Sequence, residues 1–167
     1  MFRNLSIMLG IAGVCALAAG GIAVAAGGFS HDGGAHDRTL VLLDITQTST
    51  DIDADQSNSF TVGDYFVTTD VLKTRSGSAT VGSLHGMCTV ISFSENQHSA
   101  VARCVATVRL NNGSIELSGA AVFSDNADDF TVAITGGTGV YDEIHGQARF
   151  QGLGNGNRHL ATFDIDA

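Results

Sequence analysis

The sequence predicts an all-β domain of eight short antiparallel strands, and three observations carry that prediction. Between Thr39 and Ile165, Val, Ile, Thr and Phe recur in short runs, the residue types that suit a pleated, half-buried surface. Turn-forming residues punctuate these runs, most clearly at Asn111-Asn112-Gly113, where Asn and Gly accept the positive φ of a tight hairpin. Helical period is absent from this region; the Ala-rich stretch lies at the N-terminus. Eight such strands with hairpin-like links fit either a closed antiparallel barrel or a sandwich. A barrel of that size is just wide enough to hold one small ligand.

The N-terminal segment is set aside first. Met1 to Asn4 carries one cation, Arg3, and the apolar run from Leu5 to Leu17 is too short to span a bilayer comfortably. Ala23-Val24-Ala25-Ala26 then offers an A-x-A-like cleavage site. This is the layout of a secretory signal peptide over residues 1–26, so the mature protein is expected outside the cell, with no membrane attachment after cleavage. The alternative, a retained anchor, would be short and rich in Gly and Ala. Cys15 lies inside the run, with Val14 before it a poor fit to a lipoprotein site. Residues 27–38, G-G-F-S-H-D-G-G-A-H-D-R, form a glycine-rich polar lead-in, and their two His-Asp pairs read as part of a solvated linker. The β domain is expected over 39–167.

Its strands are expected at 39–46, 62–72, 84–94, 100–110, 114–123, 130–135, 144–151 and 160–165. The polar stretch 47–61 reads as a long link overhanging one end. Asp51, Asp53 and Asp55 alternate there as in a calcium loop, but the glycine and bidentate glutamate of such a loop are missing, so an exposed acidic loop is expected. Removing Arg3 leaves seven cations against seventeen acids, which argues against nucleic acid and anionic membrane as partners. Proline and tryptophan are absent.

Two cysteines remain after cleavage, Cys88 and Cys104. In a hairpin turning at Glu95-Asn96-Gln97 they would lie opposite each other, and an even pair in an exported protein reads as a disulfide; the alternative is two buried free thiols. Two cysteines are too few for a usual structural zinc site, and no metal is expected.

The segment from Ala133 to Phe150, A-I-T-G-G-T-G-V-Y-D-E-I-H-G-Q-A-R-F, concentrates glycine. A phosphate loop would need a helix directly after the glycines, and none is signalled. Gly136, Gly137 and Gly139 therefore read as turn residues between two strands, and Gly146 as a bulge or tight bend.

These residues carry a resemblance. Ala133 to Tyr141, followed by Gly146-Gln147-Ala148-Arg149-Phe150, resembles the signature shared by allene oxide cyclases and dirigent proteins. Leu43-Asp44-Ile45 is similar to their acidic first-strand motif, and Val62-Gly63-Asp64 to the cyclases' Gly-Asp strand opening. Thr69-Asp70-Val71-Leu72, then Val81-Gly82 and His85-Gly86, resembles the dirigent second-strand region, and Gly86-Met87-Cys88-Thr89-Val90 the cyclases' third strand. The resemblance implies an eight-stranded antiparallel barrel of calycin type with an apolar cavity, no metal, no organic cofactor, and frequent dimers or trimers.

It also implies a function: a secreted barrel that binds a hydrophobic small molecule and guides its cyclisation or stereochemistry, as an isomerase or cyclase. The alternative is a non-catalytic carrier for an apolar ligand. Asp44 matches the first-strand acid and Asp70 the dirigent second-strand acid, so these two are the candidate catalytic groups. A carboxyl inside an apolar barrel has its pKa raised by desolvation, and can then act as a general acid or face a developing cation. Thr46, His85, Arg103, Arg109 and Tyr141 are the candidate ligand-binding residues. Thr46 stands where the cyclases carry asparagine, Thr69 likewise, Arg109 falls near an expected aromatic, and their site proline is missing. Allene oxide cyclisation itself is therefore not expected.

Overall fold

The computed structural model describes residues 38–57, 61–95, 99–124, 129–154 and 157–166. The expected signal peptide and nearly all of the linker lie outside these residues, as do Asn96 and Gln97. Eight strands follow one another: β1 (Arg38–Ile52), β2 (Tyr65–Thr74), β3 (Thr80–Ser94), β4 (Ser99–Leu110), β5 (Gly113–Ser124), β6 (Phe130–Gly139), β7 (His145–Gly152) and β8 (Arg158–Asp166). Each pairs antiparallel with the next, and β8 returns to β1, from Arg38↔Ile165 to Ile45↔Arg158. The barrel is closed, which decides against the sandwich.

Period-2 alternation explains why these segments form these strands. In β4, Ala100, Ala102, Cys104 and Val108 are buried in the lumen, while Arg103, Val105 and Arg109 between them are exposed. Half of the lumen is packed solid by residues such as Leu42, Leu72, Val108, Ile115 and Phe163. Ile144, from the β6–β7 turn, is buried in the same cluster and plugs that end. Asn111 and Asn112 form the two-residue link between β4 and β5, with Leu110 paired to Gly113, as the turn chemistry predicts.

Two expectations are corrected. The expected link at 47–61 is partly strand, because β1 continues to Ile52. The register shifts between Thr46 and Thr48, a bulge at Gln47 that re-phases the alternation so that Ser49 faces Thr68 and Asp51 faces Phe66. This extension is polar because it runs past the packed half, where neither face meets a hydrophobic core. The glycines are also strand rather than turn: Gly136, Gly137 and Gly139 pair with Glu116, Ile115 and Gly113. At Gly137 a Cβ would lie 2.3 Å from the Tyr141 carbonyl oxygen and 2.4 Å from that of Ser114, so close backbone approach excludes a side chain. Gly146, with φ +132°, would bring a Cβ within 2.1 Å of the Asp164 oxygen, which accounts for glycine inside β7.

The connection after β1 is held by one buried acid. Asp64 Oδ1 accepts the Ala54 amide at 2.8 Å, and Oδ2 accepts the Thr61 amide at 2.6 Å. Asp53 and Asp55 are exposed, as expected of an acidic loop, and one oxygen from each converges with one of Asp64 within 4.8 Å. Those carboxylates already serve the loop's own amides, since Ser57 donates to both Asp53 and Asp55.

Candidate functional site

Beyond the packed half the lumen opens into a cavity of about 270 Å³. It lies toward the barrel end that carries the β1–β2, β3–β4, β5–β6 and β7–β8 connections, because its lining residues sit in the strand portions next to those links. Its polar pole is built by three neighbouring strands. β1 supplies Asp44 and Thr46, β2 supplies Asp70 and Thr68, and β8 supplies His159. Register brings them together: Thr46 is the direct partner of Asp70, and Asp44 of His159.

Asp44 and Asp70 are 3% and 4% exposed, and each has an Oδ1 atom with no hydrogen-bond partner. Asp44 Oδ2 lies 3.9 Å from His159 Nδ1. Burial, reinforced by the charge of Asp70, pushes the Asp44 carboxyl up to about 7. Burial also raises Asp70, opposed by hydrogen bonds from Thr46 and Thr68 and by the charges of His159 and His85. Two buried acids in one chamber cannot both ionise cheaply, so the pair favours holding a proton.

Apart from Ser49 and Ser118, the rest of the wall is apolar and aromatic. Phe66 packs edge-on to Phe123 at 5.3 Å between centroids, Phe123 lies 5.8 Å from Phe130, and Phe130 stacks on Phe150 at 4.7 Å. Phe130 also meets His159 edge-on at 6.2 Å, joining the aromatic wall to the polar pole. Cys88 and Cys104, opposite each other across β3 and β4, form a disulfide with an S–S distance of 2.05 Å, and this disulfide lines the cavity. Closing a 16-residue separation in this way is worth roughly 3 kcal/mol in chain-entropy terms.

Of the sequence-derived candidates, Asp44, Asp70 and Thr46 reach this chamber together. His85, Arg103 and Arg109 do not; strand parity puts all three on the outer surface. There His85 Nε2 meets Ser83 Oγ at 3.0 Å, and Arg103 donates to Ser118 Oγ at 3.1 Å. Tyr141 sits in the β6–β7 turn against the packed half, away from the cavity, and burial raises its phenol. His159 and the four phenylalanines complete the site without having been singled out from sequence. A signal for His159 existed in the alternation His159, Ala161, Phe163, Ile165, which places the imidazole on the inward face of β8.

This chamber can grip a flat apolar body between aromatic faces and present a protonated carboxyl beside a second acid. Comparison with known proteins agrees with the fold. The model of the allene oxide cyclase barrel like domain matches residues 43–164. No curated protein matches the chain. Among solved structures, a pyocyanin demethylase superposes with a TM-score of 0.64 at 23% identity, covering 77% of this chain and 99% of the other. The Diels-Alderase AbmU from Streptomyces koyangensis gives a TM-score of 0.61 at 11% identity, covering 78% of this chain and 68% of its own. A pterocarpan synthase dirigent protein gives 0.60 at 18% identity, covering 82% and 87%. At these identities the likeness is one of fold.

Proposed function

The chain belongs to the allene oxide cyclase barrel-like family, and from that premise we propose that it binds a hydrophobic small molecule in its lumen and guides that molecule's cyclisation or stereochemistry. The observation that carries the reading is the pairing of an aromatic-lined chamber with two buried, under-bonded carboxyls. Barrels of this fold include cyclising and stereodirecting proteins, as the Diels-Alderase and the dirigent protein illustrate by name.

Catalysis in this reading is mostly positional: the phenylalanine wall selects one folded conformer of a flexible substrate and excludes water. Asp44, protonated in the apolar chamber, donates a hydrogen bond or a proton to an oxygen that gains negative charge. Asp70, held by Thr46 and Thr68, stabilises a neighbouring positive centre. Every step uses this chain's own groups, and we assign it no organic cofactor. An exported location follows the signal-peptide layout of residues 1–26, and a disulfide is at home in an oxidising compartment. The outward row Val67, Met87 and Val105, all exposed, supports a dimer or trimer.

The test is comparative mass spectrometry of culture medium from strains lacking the gene, restored with wild type, and restored with Asp44→Asn. A compound or stereoisomer that returns only with wild type is the expected result. Equal restoration by Asp44→Asn favours the rival reading, a binding or carrier barrel in which the acid does no chemistry. No change in any strain overturns the small-molecule reading.

A further inference from the structure

The charge inventory of the chamber narrows the class of ligand, an inference that rests on the lumen being the binding site. Among its lining residues there is no lysine or arginine; the formal charges are Asp44, Asp70 and the imidazole of His159. An anionic ligand would meet two buried acids and no fixed cation. A neutral hydrocarbon would leave both Oδ1 atoms, already without protein partners, facing it unpaired in an apolar enclosure. A ligand with positive charge at nitrogen meets the negative charge that this proton-sharing pair retains. Phe66, Phe123 and Phe130 line the same chamber and favour the same charge at any ring face that the ligand reaches, since an aromatic quadrupole attracts a cation held within about 6 Å of the ring centroid. The acidic chain as a whole, at formal charge −9, draws cations toward its surface.

We propose that the lumen is a site for an organic cation: a flat, largely apolar molecule carrying one positive charge at nitrogen, with the charge against the ionised member of the Asp44–Asp70 pair and the body along the phenylalanine wall. The cavity volume of about 270 Å³ lies at the small end of ligand pockets and suits a compact fused-ring body. His159 lies beside this pair on the β8 side, its Nδ1 3.9 Å from Asp44 Oδ2.

Three probes of nearly equal shape test this by calorimetric titration of the full-length protein: N-methylquinolinium, methylnaphthalene and naphthoate. The wild type is expected to bind the cation at least about tenfold more tightly than the neutral isostere, and not to bind the anion. In the double variant Asp44→Asn with Asp70→Asn, the preference for the cation should fall to parity while methylnaphthalene keeps its affinity. Equal or tighter binding of methylnaphthalene to the wild type overturns the cation site and leaves the lumen reading standing. A cation preference that survives in the double variant overturns the assignment, because the charge is then held elsewhere. Failure of all three probes to bind overturns the lumen reading together with the cation site.

Discussion

At the scale of single residues, the chemistry concentrates in Asp44. In the unfolded chain its carboxyl ionises near 3.8; in the barrel it ionises only near 7, because burial and then Asp70 disfavour the charge. Between those values the folded protein holds a proton that the unfolded chain has released. Stability is therefore greatest below the lower value, falls as pH rises through the window at up to about 1.4 kcal/mol per unit, and levels off above the upper one. Asp44→Asn removes this slope. We expect the variant to match wild type near pH ~4 and to exceed its stability by at least about 1 kcal/mol near pH ~8. Denaturant unfolding at both pH values checks this, and equal stability at the higher pH would refute a raised carboxyl. Asp70 and His159 face the same carboxyl, so repeating the comparison with His159→Gln separates the imidazole's share. This residue was legible in sequence only through its place in a first-strand motif; burial and the lost hydrogen-bond partner were not.

At the scale of elements, the connection between β1 and β2 shows how a polar segment is held without a core. Ala54 and Thr61 both donate their amides to Asp64, itself 2% exposed. Asp64→Ala leaves those donors without their acceptor, and hydrogen bonds to a charged group are worth about 1.5–3 kcal/mol each. We expect a loss of about 3 kcal/mol in unfolding free energy, with faster hydrogen exchange at Ala54 and Thr61 and unchanged exchange in β7. A loss confined to a few tenths of a kcal/mol would show that the loop is held by other means. Sequence located four of the strands, β4, β5, β7 and β8, to within about two residues at each end, since alternating Val, Ile and Thr runs bounded by Asn and Gly are strong signals, while β2 starts three residues later than expected and β3 four earlier. It stopped β1 at Thr46 and β6 at Thr135. Polar residues and glycine argue locally against strand, and only pairing with β2 and β5 outweighs that preference.

At the scale of the whole molecule, closure is the decisive event. β8 pairs with both β7 and β1 and carries Phe163, which is fully buried. A chain ending before Arg158 exposes the edges of β1 and β7 and opens the packed half, so we expect it to be unfolded or aggregated by circular dichroism and size exclusion. A soluble, cooperatively melting truncation would refute the role assigned to closure. By itself the sequence determined the all-β class, the strand count, the hairpin at Asn111-Asn112, the cross-strand placement of the cysteines and the first-strand acid, because each rests on local periodicity, turn chemistry or a short motif. Tertiary structure alone decided which polar residues face the lumen. A strand's alternation sorts side chains into two sets, but where both sets hold apolar residues, as in β3 and β4, it does not say which set is inside, and the Gln47 bulge resets that choice midway along β1. For that reason Arg103, Arg109 and His85 lie outside while His159 stands beside Asp44: the inside of a barrel is defined only when its last strand meets its first.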